Sequence, residues 1–201
     1  MKNQILITIG REFGSAGHEI GECIAKKLGI GFYDRAMLYE LASNLKIDED
    51  IIEKYDERNR VPFLSRTVRN YSNSLEDMVF EFQKNYISEK ADSGESFVLV
   101  GRCGELILKD RPGHISIFIL GNKEEKIARI KEKYNLNTYD AYWEMVRSDR
   151  KRKIYHNSRC QGKWGDPRAY DMCINSSSFG VDNTVDLLVY YIKARLSNSQ
   201  I

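Results

Sequence analysis

No charge of one sign dominates this sequence. Its 201 residues carry 31 Lys and Arg against 29 Asp and Glu, a formal net charge of +2. That balance is too even for a general nucleic-acid binder, which needs a basic excess. Paired metal-binding cysteines are lacking too. Cys23, Cys103, Cys160 and Cys173 form no C-x-x-C pair and have no histidine at zinc-finger spacing, so they read as buried or idle thiols. No stretch approaches the roughly 18 apolar residues of a membrane span, and no basic, then apolar leader precedes the first strand-like run. Reduced thiols without leader or anchor point to the cytoplasm. Repeats and low-complexity segments are also missing. What is present, a 42% hydrophobic and 30% charged composition, describes a well-solvated globular chain. Its length suits one α/β domain.

Residues 5–9 (Ile-Leu-Ile-Thr-Ile) form a β-branched run that stops at a glycine, the pattern of a buried parallel strand. From about residue 17 the period changes. Ile20, Cys23, Ile24, Lys27 and Leu28 recur at three- and four-residue spacing and end at Gly29, which predicts a helix with a glycine cap. Residues 30–34 predict a second short strand ending in an acid. Helices are expected over 36–45 and, capped by Asp48, to about 55. Residues 56–74, with Pro62 and few apolar positions, are expected to be a mobile insert, and 75–90 a long amphipathic helix. Tyr71, Phe80, Phe82 and Tyr86 exceed what one helix must bury; core packing is the default, a homo-oligomer contact the alternative. Further strands are predicted at 97–100, 115–120 and 172–175, and helices at 123–134, 138–155 and 181–196. Glycines and a proline mark 161–167 as a loop. Strands alternating with helices predict a parallel sheet covered on both faces.

In such folds ligands sit beyond the carboxyl ends of the strands. After the first strand comes Gly10-Arg11-Glu12-Phe13-Gly14-Ser15-Ala16-Gly17-His18-Glu19-Ile20-Gly21. Small residues let successive backbone N–H groups converge, and the helix behind adds its positive end, which suits phosphate. The match to G-x-x-x-x-G-K-[ST] is incomplete. With Gly17 as the second glycine, His18 stands at the lysine position and Glu19 at the magnesium-binding hydroxyl. A plain tight turn is the competing reading. Arg11, or His18 as an imidazolium, is left to supply the missing charge, although a neutral histidine brings none.

The other strand ends add candidates. Asp34 either accepts from a sugar hydroxyl or base amino group, or caps a helix. Gly101 brings Arg102 close to the sheet end, where its guanidinium can fork onto phosphate oxygens. Arg147, Arg150, Lys151, Arg152, Lys153 and Arg159 form a basic segment; helical spacing places Asp149, Arg152 and Lys153 near one face. It reads as a lid whose arginines close on phosphates with Asp149 orienting them, against a merely solvated helix face. Trp164, between Gly162 and Gly165, either stacks on a base or pins its own loop.

Residues 7–21 followed by 28–35 resemble the cytidylate kinase-like family. The likeness continues at Val100-Gly101-Arg102-Cys103-Gly104, at Asp149-x-x-Arg152-x-x-Tyr155, and at Tyr170-Asp171-Met172-Cys173-Ile174-Asn175-Ser176. The blocks lie in family order and span nearly the whole chain. The resemblance implies a P-loop NTPase-type, three-layer α/β/α domain over residues 1–201, with a monophosphate-binding insert at about 35–90 and a lid at about 145–168. It implies transfer of the ATP γ-phosphoryl group to a nucleoside monophosphate, CMP or dCMP first, with Mg²⁺. On that reading Gly14, Ser15, Ala16, Gly17, His18 and Glu19 hold the ATP phosphates. Asp34, Arg35 and Arg102 hold the monophosphate, and Arg11, Arg147, Arg150 and Arg152 with Asp149 serve catalysis. No metal-ligating residue is assigned, and neither nucleic acid nor membrane is an expected partner. Two alternatives stay open: a non-catalytic nucleotide- or phosphate-binding protein, and a kinase of another small acceptor.

Overall fold

The computed structural model describes residues 4–34, 67–68, 71–72 and 75–198. The helices expected over 36–45 and to about 55, and Arg35, lie outside the described residues. Inside the expected insert, β3 (Thr67–Val68) and β4 (Tyr71–Ser72) pair antiparallel, a hairpin the sequence reading did not foresee.

The core is a five-stranded parallel sheet in the order β2-β5-β1-β6-β7. Its strands are β1 (Leu6–Arg11), β2 (Gly31–Tyr33), β5 (Phe97–Val100), β6 (His114–Leu120) and β7 (Met172–Asn175). In the centre Ile7 lies beside Val98 and Ile115, and Ile9 beside Val100 and Ile117. Helices cover both faces, so the central strands are apolar throughout rather than alternating. The strand period of two still sorts them. Ile7, Ile9, Val98, Val100, Ile115 and Ile117 pack with α1 (Gly17–Leu28) and the carboxyl-terminal helix Val181–Asn198. Leu6, Phe97 and Leu99 face the other way, onto Ile87 and Ala91 of α2 (Leu75–Asp92) and onto Leu108. That layer also holds α3 (Gly104–Ile107), a one-turn helix no periodicity announced.

Two helices follow the fourth core strand: α4 (Lys123–Tyr134) and α5 (Thr138–Asn157). Ile130, Ala141 and Met145 pack them together, and Phe13 from the glycine loop joins that cluster. A short helix, α6 (Ser176–Phe179), precedes α7, the carboxyl-terminal helix named above. The α5 helix covers the first part of the expected lid and ends at Asn157, its end pinned to α2 by a hydrogen bond from the Tyr155 hydroxyl to Gln83 Oε1 at 3.2 Å. Trp164 meets Phe118 of β6 edge-on with ring centres 5.3 Å apart. Within α2, Tyr86 packs on Tyr33, and Phe80 lies under the Arg159 guanidinium. No helix of the described residues is long and apolar enough to cross a membrane.

Gly113, just before β6, offers a test of the frame away from the strand ends. Its φ is +76°, and an added Cβ would run into the Gln4 carbonyl oxygen. Gly113→Ala should therefore cost about 1–3 kcal/mol, lowering Tm by several degrees in a thermal melt while leaving ligand affinity unchanged.

Candidate active site

The loop after β1 is built by close approach. Gly14 has φ +83°, and a Cβ there would lie 2.8 Å from the Lys126 carbonyl oxygen, so glycine lets the loop touch α4. Ala16, at φ 59°, is the left-handed residue that starts α1 and gives it no side-chain cap. An alternation of turn conformations leading into an uncapped helix start turns backbone N–H groups outward, as an anion nest does. The loop is braced from below: Ser15 Oγ donates to the Glu12 carbonyl at 2.9 Å, and Ser176 Oγ to the Ser15 carbonyl at 2.7 Å.

A buried ammonium holds this loop to α4 and α5. Lys126 Nζ lies 2.9 Å from Glu12 Oε2 and 3.4 Å from Asp149 Oδ2, with its side chain only 8% exposed. Glu12 Oε2 also accepts the Gly121 N–H at 3.1 Å, and Asp149 Oδ1 the Phe13 N–H at 2.6 Å. Burial raises the Asp149 pKa; the Phe13 N–H and the Lys126 charge act against that rise. Asp149 thus grips the loop backbone, and the Arg152 charge nearby also favours its carboxylate form. Lys126 was missed as a site residue. The available signal was Lys126 standing four residues before Ile130, on the buried stripe of α4.

Beside the loop is a cleft lined by Gly10, Arg11, Arg102 and Arg152, with Tyr155, Trp164 and Tyr170 among its walls. The Arg152 guanidinium lies 5.2 Å over the Phe13 ring and donates to the Arg11 carbonyl at 3.2 Å. Arg11 folds back across the loop. A Cβ at Gly17 would come within 2.5 Å of Arg11 Cβ, and one at Gly101 would strike the Arg11 guanidinium. Arg11 thus packs against the second glycine of the loop, while the lysine position beside it holds His18. Arg102 is only 7% exposed. It sits in a run of three left-handed residues, Gly101 at φ 82°, Arg102 at 63° and Cys103 at 53°. Two successive non-glycine residues there cost about 1–3 kcal/mol each, strain that concentrates at ligand-binding turns.

The remaining candidates lie elsewhere. His18 Nε2 and Asp34 Oδ2 meet at 2.6 Å, on the α1 side of the loop, with His18 half exposed. Glu19 pairs with Arg129 of α4 at 3.3 Å. Arg147 is exposed and bound to Glu144 at 2.8 Å, and Arg150 is exposed on the same helix; neither lines the cleft. Glu105 and His156 do line it, and sequence reading had assigned them no role. Their carboxylate and imidazole stand 2.8 Å apart. Burial disfavours the imidazolium, but hydrogen bonds to Cys160 and Glu105 outweigh it and lift the His156 pKa to about 10.

A single parallel sheet between two helical layers, with a glycine loop at the carboxyl end of its central strand, defines a P-loop-type α/β/α domain. Solved structures agree on the fold. A gluconokinase from Sinorhizobium meliloti 1021 is 15% identical with a TM-score of 0.59, covering 100% of this chain and 97% of its own. A shikimate kinase from Bacteroides thetaiotaomicron is 10% identical with a TM-score of 0.55, covering 94% of this chain and 98% of its own. An uncharacterized protein from Eubacterium ventriosum ATCC 27560 is 36% identical over 94% of this chain and 99% of its own, with a TM-score of 0.76. No curated protein matches the sequence. The profile of the cytidylate kinase-like family matches residues 6–178, and the chain belongs to that family.

Membership in a kinase family implies ATP and, as its usual companion, Mg²⁺. The loop backbone at residues 14–19 fits a polyphosphate. For Mg²⁺ the fit is poor: the loop has Glu19 where a hydroxyl is expected, and the carboxylates of Glu12 and Asp149 are engaged by Lys126 and backbone donors.

Lys126→Met would leave Glu12 and Asp149 facing each other without their shared cation. The variant should lose about 2–4 kcal/mol in chemical denaturation. Like charge raises both carboxylate pKa values in the folded state, so folding then binds protons more tightly than unfolding. The deficit should shrink in mildly acidic buffer and grow toward neutral pH.

Proposed function

We propose that this protein transfers the γ-phosphoryl group of ATP to a nucleoside monophosphate, CMP or dCMP being the first acceptors to try. The reading rests chiefly on one observation: Arg11, Arg102 and Arg152, from three separate parts of the chain, line one cleft beside the glycine loop. Phosphoryl transfer asks a protein mainly to align the two reactants and to place cations around spreading negative charge. The loop backbone takes the ATP β- and γ-phosphates. Arg102, held by its strained turn, forks onto the acceptor phosphate, and Arg11, lying between Gly17 and Gly101, bridges donor and acceptor. Arg152, fixed against Phe13 and the Arg11 carbonyl, faces the transferred group. The lid at about 145–168 and the insert at about 35–90 belong to this reading, with His18 and Asp34 at the mouth of the loop.

The second reading, a nucleotide-binding protein without turnover, has its own supporting observation. His18 stands at the lysine position of the loop, and Glu19 where a hydroxyl for magnesium is expected. A passive binder, however, has little use for three arginines in one cleft.

Coupled ATP consumption should be followed with CMP, dCMP, UMP and AMP, and with shikimate and gluconate as non-nucleotide acceptors. Turnover is expected with a pyrimidine monophosphate and should fall about 10²–10³-fold in Arg102→Ala, with an unchanged Tm. Nucleotide binding without turnover on any acceptor rejects the kinase reading in favour of the binder. Turnover confined to a non-nucleotide rejects the assigned acceptor alone.

A further inference from the structure

One cluster on the cleft wall is not used by phosphoryl transfer. Glu105, His156 and Cys160 bring a carboxylate oxygen, an imidazole nitrogen and a sulfur all within 4.8 Å of one another. They arrive from two directions: Glu105 from α3, directly behind the strained turn, and His156 from the last turn of α5, with Cys160 just beyond its end at Asn157. Cys103 stands beside Cys160, outside that group of three, and its thiol is hydrogen-bonded to Cys160. His156 is 5% and Cys103 4% exposed, while Glu105 and Cys160 are half-buried at the cleft wall.

The histidine is oriented as a ligand would be. Asn157 Oδ1 accepts the Trp164 backbone N–H at 2.8 Å, which identifies that atom as the oxygen, and it faces His156 Nδ1 at 3.1 Å. Nδ1 therefore carries a hydrogen, and Nε2 points at Glu105. Metal-bound histidines are held in this way, one ring nitrogen hydrogen-bonded outward and the other turned to the ion.

We propose that Glu105, His156 and Cys160 hold one zinc ion on the cleft wall, with Cys103, beside Cys160, completing a four-coordinate site. Two sulfurs, an imidazole and a carboxylate make a zinc donor set; Mg²⁺ and Ca²⁺ prefer all-oxygen shells. The ion joins the turn that carries Arg102 to the end of the helix that carries Arg152. It thereby sets the spacing of two cleft arginines without touching the reacting groups. The sequence shows no zinc-finger spacing because the donors come as C-x-E and H-x-x-x-C, from segments more than 50 residues apart.

The reduced, tag-free protein, grown with zinc and gel-filtered in metal-free buffer, should retain one zinc per chain by mass spectrometry. Co²⁺ added after stripping should give thiolate-to-metal charge-transfer absorption in wild type and Cys173→Ala, but not in Cys160→Ala. Zn²⁺ should raise the Tm of the first two and leave the third unmoved; His156→Gln provides the same comparison if Cys160→Ala does not fold. Absence of both retained zinc and Co²⁺ absorption overturns the proposal. So does a protein that forms a Cys103–Cys160 disulfide with peroxide yet takes up neither metal when reduced. None of these readouts depends on catalytic activity, so the site and the kinase reading can fail separately.

Discussion

The site depends on one shared ammonium. Lys126 reaches from α4 to two carboxylates, one in the glycine loop and one on α5. Each carboxylate in turn accepts a backbone N–H, from Gly121 and from Phe13. One buried charge thus joins the loop, the end of β6, and both helices that follow it. A lone buried ammonium would be costly, as would either carboxylate without it. The three groups offset one another, and the loop conformation is their common product.

This arrangement changes where the loop's positive charge is to be sought. A lysine inside the loop would project from the start of α1. Here His18 stands at that position and turns to Asp34, while Arg11 packs on Gly17 and its guanidinium runs on to Gly101, so that it belongs to the cleft as much as to the loop. Lys126 supplies structure beneath the loop, while Arg11, Arg102 and Arg152 supply cations above it. Separating anchoring from charge presentation allows the loop to dispense with lysine and still keep its shape.

The core was legible because apolar runs at 97–100 and 115–120 and the Ile20–Ile24 spacing follow from burial on one or two faces, a local property. Strand ends followed as well: Arg11 and Arg102 were placed from the glycines beside them, and both reached the cleft. Arg147 and Arg150 were grouped with Arg152 by charge, but the helix turns them to solvent; only Arg152 meets the loop. Asp149, read from helical spacing as orienting a lid arginine, has its hydrogen bonds with Phe13 and Lys126. Those pairings, like that of Cys103 with Cys160, join segments distant in sequence, and composition or period carries no trace of them. The short α3 and the β3–β4 hairpin fell below the length at which periodicity speaks.

The central claim is that Arg102, locked in its left-handed turn, receives the acceptor phosphate. Calorimetric titration of CMP, and of cytidine as a control without phosphate, into wild type and Arg102→Ala tests it directly. The account predicts that CMP binds wild type far more tightly than cytidine does, and that Arg102→Ala erases the difference while its Tm stays near that of wild type. Equal CMP affinity in the two proteins would contradict it.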